Sequence, residues 1–266
     1  MVFRNGGSAR VNDVDVVRRN PRQRQRDIAT TIRESGRVSV EQLAQAFGVS
    51  AETIRRDLAA LDRAGLVEKT HGGATPPRVT LEGSLAKRIA LNPEAKRSIA
   101  ARLATVIQPG DTLFMDTGST TLACAEALAE VPGLTVITNS VDIARRLGER
   151  AHVHLIGGRF VAGNGQTVGA AAVREVARFR ARRAVLTVTA LDAVHGAMDA
   201  DAAECEVARA MLDAARECIV LADSSKFGLE ATHVVCPLSQ IAVLISEAPP
   251  PPELSDALAA AGTRLA

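Results

Sequence analysis

Several short polar stretches in this sequence follow apolar runs and carry the residue types needed to grip an anion. The first is Asp116-Thr117-Gly118-Ser119-Thr120-Thr121. An apolar run ends at Asp116, Gly118 allows a sharp turn, and a helical pattern opens among Ser119, Thr120 and Thr121. Free N–H groups at a helix N-terminus, joined by hydroxyls, make a cradle for a phosphate or carboxylate. An ordinary N-cap loop would use the same residues. Asn139 and Ser140 close a second run, Gly157 and Gly158 a third, and Asp223-Ser224-Ser225-Lys226 a fourth, where Lys226 could pair with a phosphate or a carboxylate.

These stretches need a scaffold that brings strand ends together. Strand-like runs such as DTLFMD, LTVITN, HVHLIG, RRAVLTVTAL and ECIVLADSS alternate with amphipathic helical patterns such as STTLACAEALAE and ECEVARAMLDAA. Apolar strands separated by helices imply an α/β domain whose sheet is mainly parallel and covered on both faces. Ligands of such sheets bind beyond the carboxyl ends of the strands, the edge on which the polar loops fall.

A different chemistry is encoded upstream. The pattern predicts three short helices within residues 22–65, with Ile28 and Ile32, then Val40, Leu43, Ala44 and Phe47, then Ile54, Leu58 and Leu61 facing inward. Ser39 with Gln42 reads as a capping box, Ser50 as an N-cap, Gly36 and Gly65 as helix ends, and Gly48 as the tight turn of a helix-turn-helix. That leaves Glu52, Thr53, Arg55 and Arg56 outward on the first turns of the third helix, where arginine can bond guanine in a major groove. Asp57 is expected to pair with an arginine. Lys69 and His71, beside Gly72-Gly73, fit a wing reaching phosphate or the minor groove. A three-helix bundle that binds protein would share this pattern. Arg18, Arg19, Arg22, Arg24 and Arg26 could add phosphate contacts or form an inert solvated arm.

Composition narrows the classes. The chain has 266 residues, enough for about two domains, and 47% are hydrophobic, enough for packed cores. Residues 1–78 carry 14 Lys/Arg against 9 Asp/Glu, a net +5, and residues 79–266 carry 18 against 21, a net −3. A basic head on a mildly acidic body suits a polyanionic partner. Six Phe with no Trp or Tyr argue against binders that stack bases on aromatic rings. No apolar run approaches the ~20 residues of a membrane span, and no secretory signal is evident, so a cytoplasmic protein is expected. Four dispersed cysteines without CxxC spacing read as reduced, buried thiols. His152 and His154 alternate on a strand without a third ligand at a convincing spacing, so neither metal nor cofactor is expected.

The stretch through Arg24, Ile28, Ile32, Ser50, Thr53, Ile54, Arg55, Arg56, Asp57 and Leu58, with His71-Gly72-Gly73-Ala74, resembles the winged helix-turn-helix of the DeoR family of bacterial sugar-operon repressors. Residues 94–265 resemble that family's sensor domain, similar in fold to ribose-5-phosphate isomerase. The matching residues are Lys96 with Ile99-Ala100, 116–121, 138–140, Gly157-Gly158 and 223–228. The resemblance implies operator DNA as one partner and a sugar phosphate as effector, with its anion at 118–121. The chain departs from the family where Gly-x-Asp-Gly is usual: Thr187-Val188-Thr189-Ala190 stands there, and a carboxylate acceptor for sugar hydroxyls is missing.

The expected organisation is therefore a disordered extension over 1–20, a winged helix-turn-helix over 21–76, a linker over 77–93 and an effector-binding, oligomerising domain over 94–266. The function expected is a repressor acting as a dimer or tetramer and released by a phosphorylated sugar. A ligand-independent repressor with a degenerate pocket is the rival. An isomerase-like enzyme would need a positioned base near the substrate carbon, which the loss of the Asp at position 189 disfavours.

Overall fold

The computed structural model describes residues 20–35, 37–63, 66–70, 72–75 and 85–266, without the side chains of Arg22, Arg33, Glu34 and Arg63. Residues 1–19 of the extension expected over 1–20, the helix ends at Gly36 and Gly65, the wing residue His71 and the Pro76-Pro77 break lie outside the described residues. Contacts divide the chain into two compact units, Met1–Pro77 and Arg78–Ala266.

In the first unit α1 (Pro21–Ser35), α2 (Val40–Phe47) and α3 (Ala51–Arg63) pack with a small antiparallel sheet of β1 (Val38–Ser39), β2 (Glu68–Thr70) and β3 (Gly73–Thr75), in the order β1-β3-β2. Ser39 forms the capping box with Gln42, and Gly48 ends α2 in the left-handed conformation at φ 62°. Ile28, Ile32, Leu43, Ile54, Leu58 and Leu61 share one core with Val67 and Ala74. The strand β1 was not read from the sequence, and it explains Gly73: a Cβ there would lie 2.2 Å from the Val38 carbonyl oxygen.

The second unit opens with α4 (Leu85–Ala90) and α5 (Pro93–Val106). It continues as β4 (Thr112–Met115), α6 (Ser119–Leu128), β5 (Thr135–Thr138), α7 (Val141–Leu147) and β6 (His152–Leu155). The hairpin β7 (Arg159–Val161) and β8 (Gln166–Val168) leads to α8 (Ala170–Val176) and β9 (Ala181–Thr187). Then come β10 (Ala190–Asp192), β11 (Gly196–Asp199), α9 (Ala202–Asp213), β12 (Ala215–Leu221), β13 (His233–Cys236), β14 (Val243–Ile245), α10 (Pro252–Ala260) and β15 (Arg264–Leu265). Seven strands form one sheet in the order β15-β14-β12-β9-β4-β5-β6, and every neighbouring pair is parallel. A separate antiparallel sheet, β10-β11-β13, shares a core cluster with one face of it through Leu191, Ala197 and Val235. The α/β class and the parallel sheet agree with the sequence pattern.

Alternation along each strand divides the core in two. Leu113 and Met115 of β4 pack with α5, α6 and α7 on one face. Phe114 between them packs with α8, α9 and α10 on the other. All four cysteines are buried and unpaired, Cys124 on the first face and Cys205, Cys218 and Cys236 on the second.

The 77–93 segment expected as a linker contains a helix. Leu85 at the start of α4 is buried, and Asn92 caps α5 in the left-handed region at φ 47°. A six-residue helix is too short for a hydrophobic period to declare itself.

Phe114 is fully buried at the centre of the sheet, so Phe114→Ala is expected to lower stability by about 3–5 kcal/mol. A reduced urea midpoint at unchanged slope, followed by circular dichroism, would show it. A loss below about 1 kcal/mol would mean that the cavity collapses without strain.

Candidate functional site

Two surfaces bring the predicted residues together, one in each unit. On α3, Ser50 accepts the Thr53 N–H at 3.2 Å, and the two hydroxyls lie 2.9 Å apart, so both serve first as the helix cap. Glu52 bridges Arg55 at 3.8 Å and Arg56 at 3.4 Å, with the arginine side chains 58% and 80% exposed. Such exposed pairs are weak, so either guanidinium can exchange Glu52 for a nucleic-acid acceptor. Asp57, one position on, is buried and accepts from Arg24 Nε at 2.6 Å and Gln25 Nε2 at 2.9 Å. This bond locks α1 against α3 and fixes which face of α3 points outward. It also corrects the reading of Arg24 as part of a phosphate-binding arm, since its guanidinium serves the core. Lys69 is exposed on β2, and its N–H is held by Asp62 Oδ1 at 3.0 Å.

In the second unit the chain builds β4, β5 and β6 outward in one direction, then returns to lay β9, β12, β14 and β15 in the other. The reversal lies between β4 and β9, where helices leave opposite faces and a crevice opens. A small polar cleft sits there. Thr117, Ser119 and Thr120 line it from the end of β4, and Thr187, Val188 and Thr189 from the end of β9. Asp223, Ser225 and Lys226 face it from beyond β12. Arg88, Asn92, Lys96, Asp199 and Glu204 complete the polar wall.

The α6 terminus has neither an acidic residue in its first turn nor a side-chain cap. Its partial positive charge is thus left for something in the cleft. Gly118 is extended at φ −170°, so the turn itself does not require glycine. The requirement is space: a Cβ would lie 2.3 Å from Thr187 Oγ1. Thr121 is turned inward and donates to the Gly118 carbonyl at 3.1 Å.

Asp116 lies beneath this loop, buried, and accepts the Thr187 N–H at 2.8 Å. Burial pushes its carboxyl well above the ordinary range; the Thr187 bond opposes this, while nearby Asp199 and Glu204 reinforce it. Burial also raises Glu204, against bonds from Asn164 and Gln166 and the charge of Arg88.

Other expected contacts do not reach the cleft wall. Asn139 donates to the Thr167 carbonyl at 3.0 Å, and Ser140 caps α7 by accepting the Ile143 N–H at 3.3 Å. The Gly157 N–H donates to Glu175 at 2.7 Å, and a Cβ on Gly158 would meet the Val168 carbonyl oxygen at 2.9 Å. These residues tie the β5 and β6 ends to the β7–β8 hairpin and to α8.

The family model for the DeoR C terminal sensor domain matches residues 91–248, and that for the DeoR-like helix-turn-helix domain matches residues 24–78. The chain belongs to the DeoR family. It is 32% identical over 231 residues to the glycerol-3-phosphate regulon repressor of Escherichia coli K12, covering 86% of this chain and 92% of that one. It is also 32% identical over 228 residues to the transcriptional repressor AccR of Agrobacterium fabrum, covering 84% and 88%. Among solved structures, a D-ribose-5-phosphate isomerase in complex with phospho-erythronic acid matches at 17% identity and TM-score 0.39, covering 51% of this chain and 54% of that one. The eIF2B beta subunit of Chaetomium thermophilum matches at 17% identity and TM-score 0.45, covering 90% and 69%.

This DeoR-family chain is thus a transcriptional regulator with a helix-turn-helix domain and a sensor domain. Its departure at Thr189 has a counterpart in the structure. Thr189 lines the cleft, and its N–H donates to the Met198 carbonyl at 3.0 Å. Asp199 follows Met198 and lines the same cleft, so an acidic acceptor stands beside the position that lacks one. Asp192 faces elsewhere: it accepts the Val194 N–H at 3.0 Å and the His195 N–H at 2.5 Å, closing the β10–β11 turn. With His195 and Glu230 it forms a cluster whose ligand atoms lie within 4.8 Å of one another, among the described residues. No helix among the described residues is long and apolar enough to cross a membrane.

A carboxyl whose folded pKa is raised supports the fold while protonated and loses that support as pH rises through the raised value. Sensor stability is therefore expected to fall as pH climbs from about 4 upward. Asp116→Asn, which keeps an oxygen acceptor for Thr187, should flatten most of this slope and leave the share due to Glu204. Melting temperatures across a pH series would measure it; an unchanged slope would mean that Asp116 ionises without penalty.

Proposed function

We propose that this DeoR-family regulator represses a carbohydrate-metabolism operon by binding operator DNA as a homodimer or homotetramer, and that a phosphorylated sugar or polyol in the cleft releases it. The observation that carries the reading is the cleft's division of charge. The uncapped α6 terminus with Lys96, Lys226 and Arg88 suits a phosphate, and Asp199, Glu204 and Asp223 suit hydroxyl groups. The name of the Escherichia coli relative, a glycerol-3-phosphate regulon repressor, supports a phosphorylated ligand. A regulator acting in this way would work in the cytoplasm, and no cofactor enters the scheme.

A single helix-turn-helix offers a small interface, so two heads related by symmetry would read two half-sites. Ser50, Glu52, Thr53, Arg55 and Arg56 would meet the major groove, and Lys69 and His71 the flanking backbone or minor groove. Binding without turnover is favoured by how the cleft carboxylates are used. Glu204 accepts from Asn164 and Gln166, and Asp223 accepts from Asn92 and from the Ser225 N–H, so both are tied to the wall.

Effector and operator would oppose each other through linked equilibria. Electrophoretic binding to the chain's own upstream DNA, with and without sugar phosphates, tests the scheme. Release by one compound supports it, whereas tight binding that none disturbs selects the ligand-independent repressor. Arg55→Ala is expected to weaken cognate binding by about 1–3 kcal/mol, and an equal loss on random DNA would reduce Arg55 to a phosphate contact. Gly118→Val, whose side chain collides with Thr187, should abolish release while operator binding persists. Loss of both together would end the separation of roles.

A further inference from the structure

We infer that Lys96 is the group through which an anion in the cleft acts on α4, which among the described residues is the first helix after the DNA-binding unit. The inference rests on the cleft being an anion site, as proposed above. Lys96 is 5% exposed and lines the cleft, yet its ammonium also donates to backbone carbonyls at the end of α4: to Leu91 at 2.7 Å and to Arg88. Terminal carbonyls of a helix lack a following turn to receive them. The Arg88 carbonyl also accepts the Leu91 N–H at 3.2 Å, and the ammonium joins that bond in holding this end of α4. The Arg88 side chain lines the cleft as well, donating to Asn164 Oδ1 at 3.0 Å, and Asn164 in turn donates to Glu204 at 2.6 Å. The start of α4 meets the same turn, where the Leu85 N–H donates to the Gly163 carbonyl at 3.4 Å. Both ends of this six-residue helix are thus held by groups of the cleft wall or next to it.

An ammonium has three N–H donors, and bonds to an anion are stronger than bonds to a neutral carbonyl. A phosphate entering the cleft therefore competes for the group that anchors α4. Residues 76–84 connect α4 covalently to Thr75 at the end of β3. A changed hold on α4 acts at the root of the connection to the head, and Lys96 is the cleft lysine whose ammonium bonds the carbonyls of Arg88 and Leu91.

The two lysines are consequently separable. Operator release by the full chain is measured by fluorescence anisotropy, with glycerol 3-phosphate and glucose 6-phosphate as probes and saturation established by calorimetry. Lys226→Met is expected to raise the probe concentration needed while leaving full release at saturation. Lys96→Met is expected to lose at least about fivefold in the probe's effect on operator affinity even at saturation, and Lys96→Arg to restore it. Full release by saturated Lys96→Met overturns the inference and leaves the cleft reading standing; failure of the wild type to bind either probe overturns both. Should Lys96→Met fail to fold, amide exchange over 85–91 in the wild type decides: a change on saturation supports the coupling, and identical exchange overturns it.

Discussion

The hydrogen bond from the Thr187 N–H to the buried Asp116 carboxylate is the constraint on which the sensor unit turns. It closes the seam between β4 and β9, the neighbouring strands where the chain reverses its direction across the sheet. The Asp116 N–H donates to the Val185 carbonyl on the same side, so the two strand ends are stitched twice. This draws Thr187 so close to Gly118 that no side chain fits there, which in turn sets the path of the backbone into α6. The uncapped end of α6 and the acidic residues Asp199 and Glu204 are brought to one cleft by that stitch. The arrangement is maintained against the unfavourable burial of a carboxylate near two others, a cost commonly accepted at sites that bind.

The head depends on a bond of the same kind at smaller scale. Asp57 sits in the middle of the recognition helix with its charge turned inward, where Arg24 and Gln25 of α1 receive it. Its neighbours Arg55 and Arg56 are left outward with only the flexible Glu52 as partner in the salt bridges described. One buried polar knot therefore decides which charges of α3 are structural and which are available. Breaking it would leave a carboxylate stranded in the core.

What the sequence made legible follows from range. The capping box of Ser39 and Gln42, the left-handed Gly48 and the inward rows of α2 and α3 are local, and local chemistry decided them. The parallel sheet was legible from alternating strand and helix patterns. The cleft wall was only partly so, because Thr187, Asp199, Arg88 and Asn92 meet through strand order, which no local period records. Polar residues at strand ends also have two uses. Asn139 and Ser140 look like Ser119 and Thr120 in the sequence, yet they are consumed by the β7–β8 hairpin and the α7 cap. Two-residue β1 and six-residue α4 fall below the length at which periodicity speaks.

The distribution of the cysteines has a consequence of a different kind. Cys124 lies in the apolar layer on one side of the sheet, and Cys205, Cys218 and Cys236 lie in the layer on the other. Burial raises the Cys124 thiol far above its ordinary range, so it stays protonated and shielded from reagents while its layer is closed. Each layer therefore carries its own chemical clock. The rate at which a thiol reagent modifies Cys124, set against the rates for the other three, reports which side of the sheet opens first when the domain breathes.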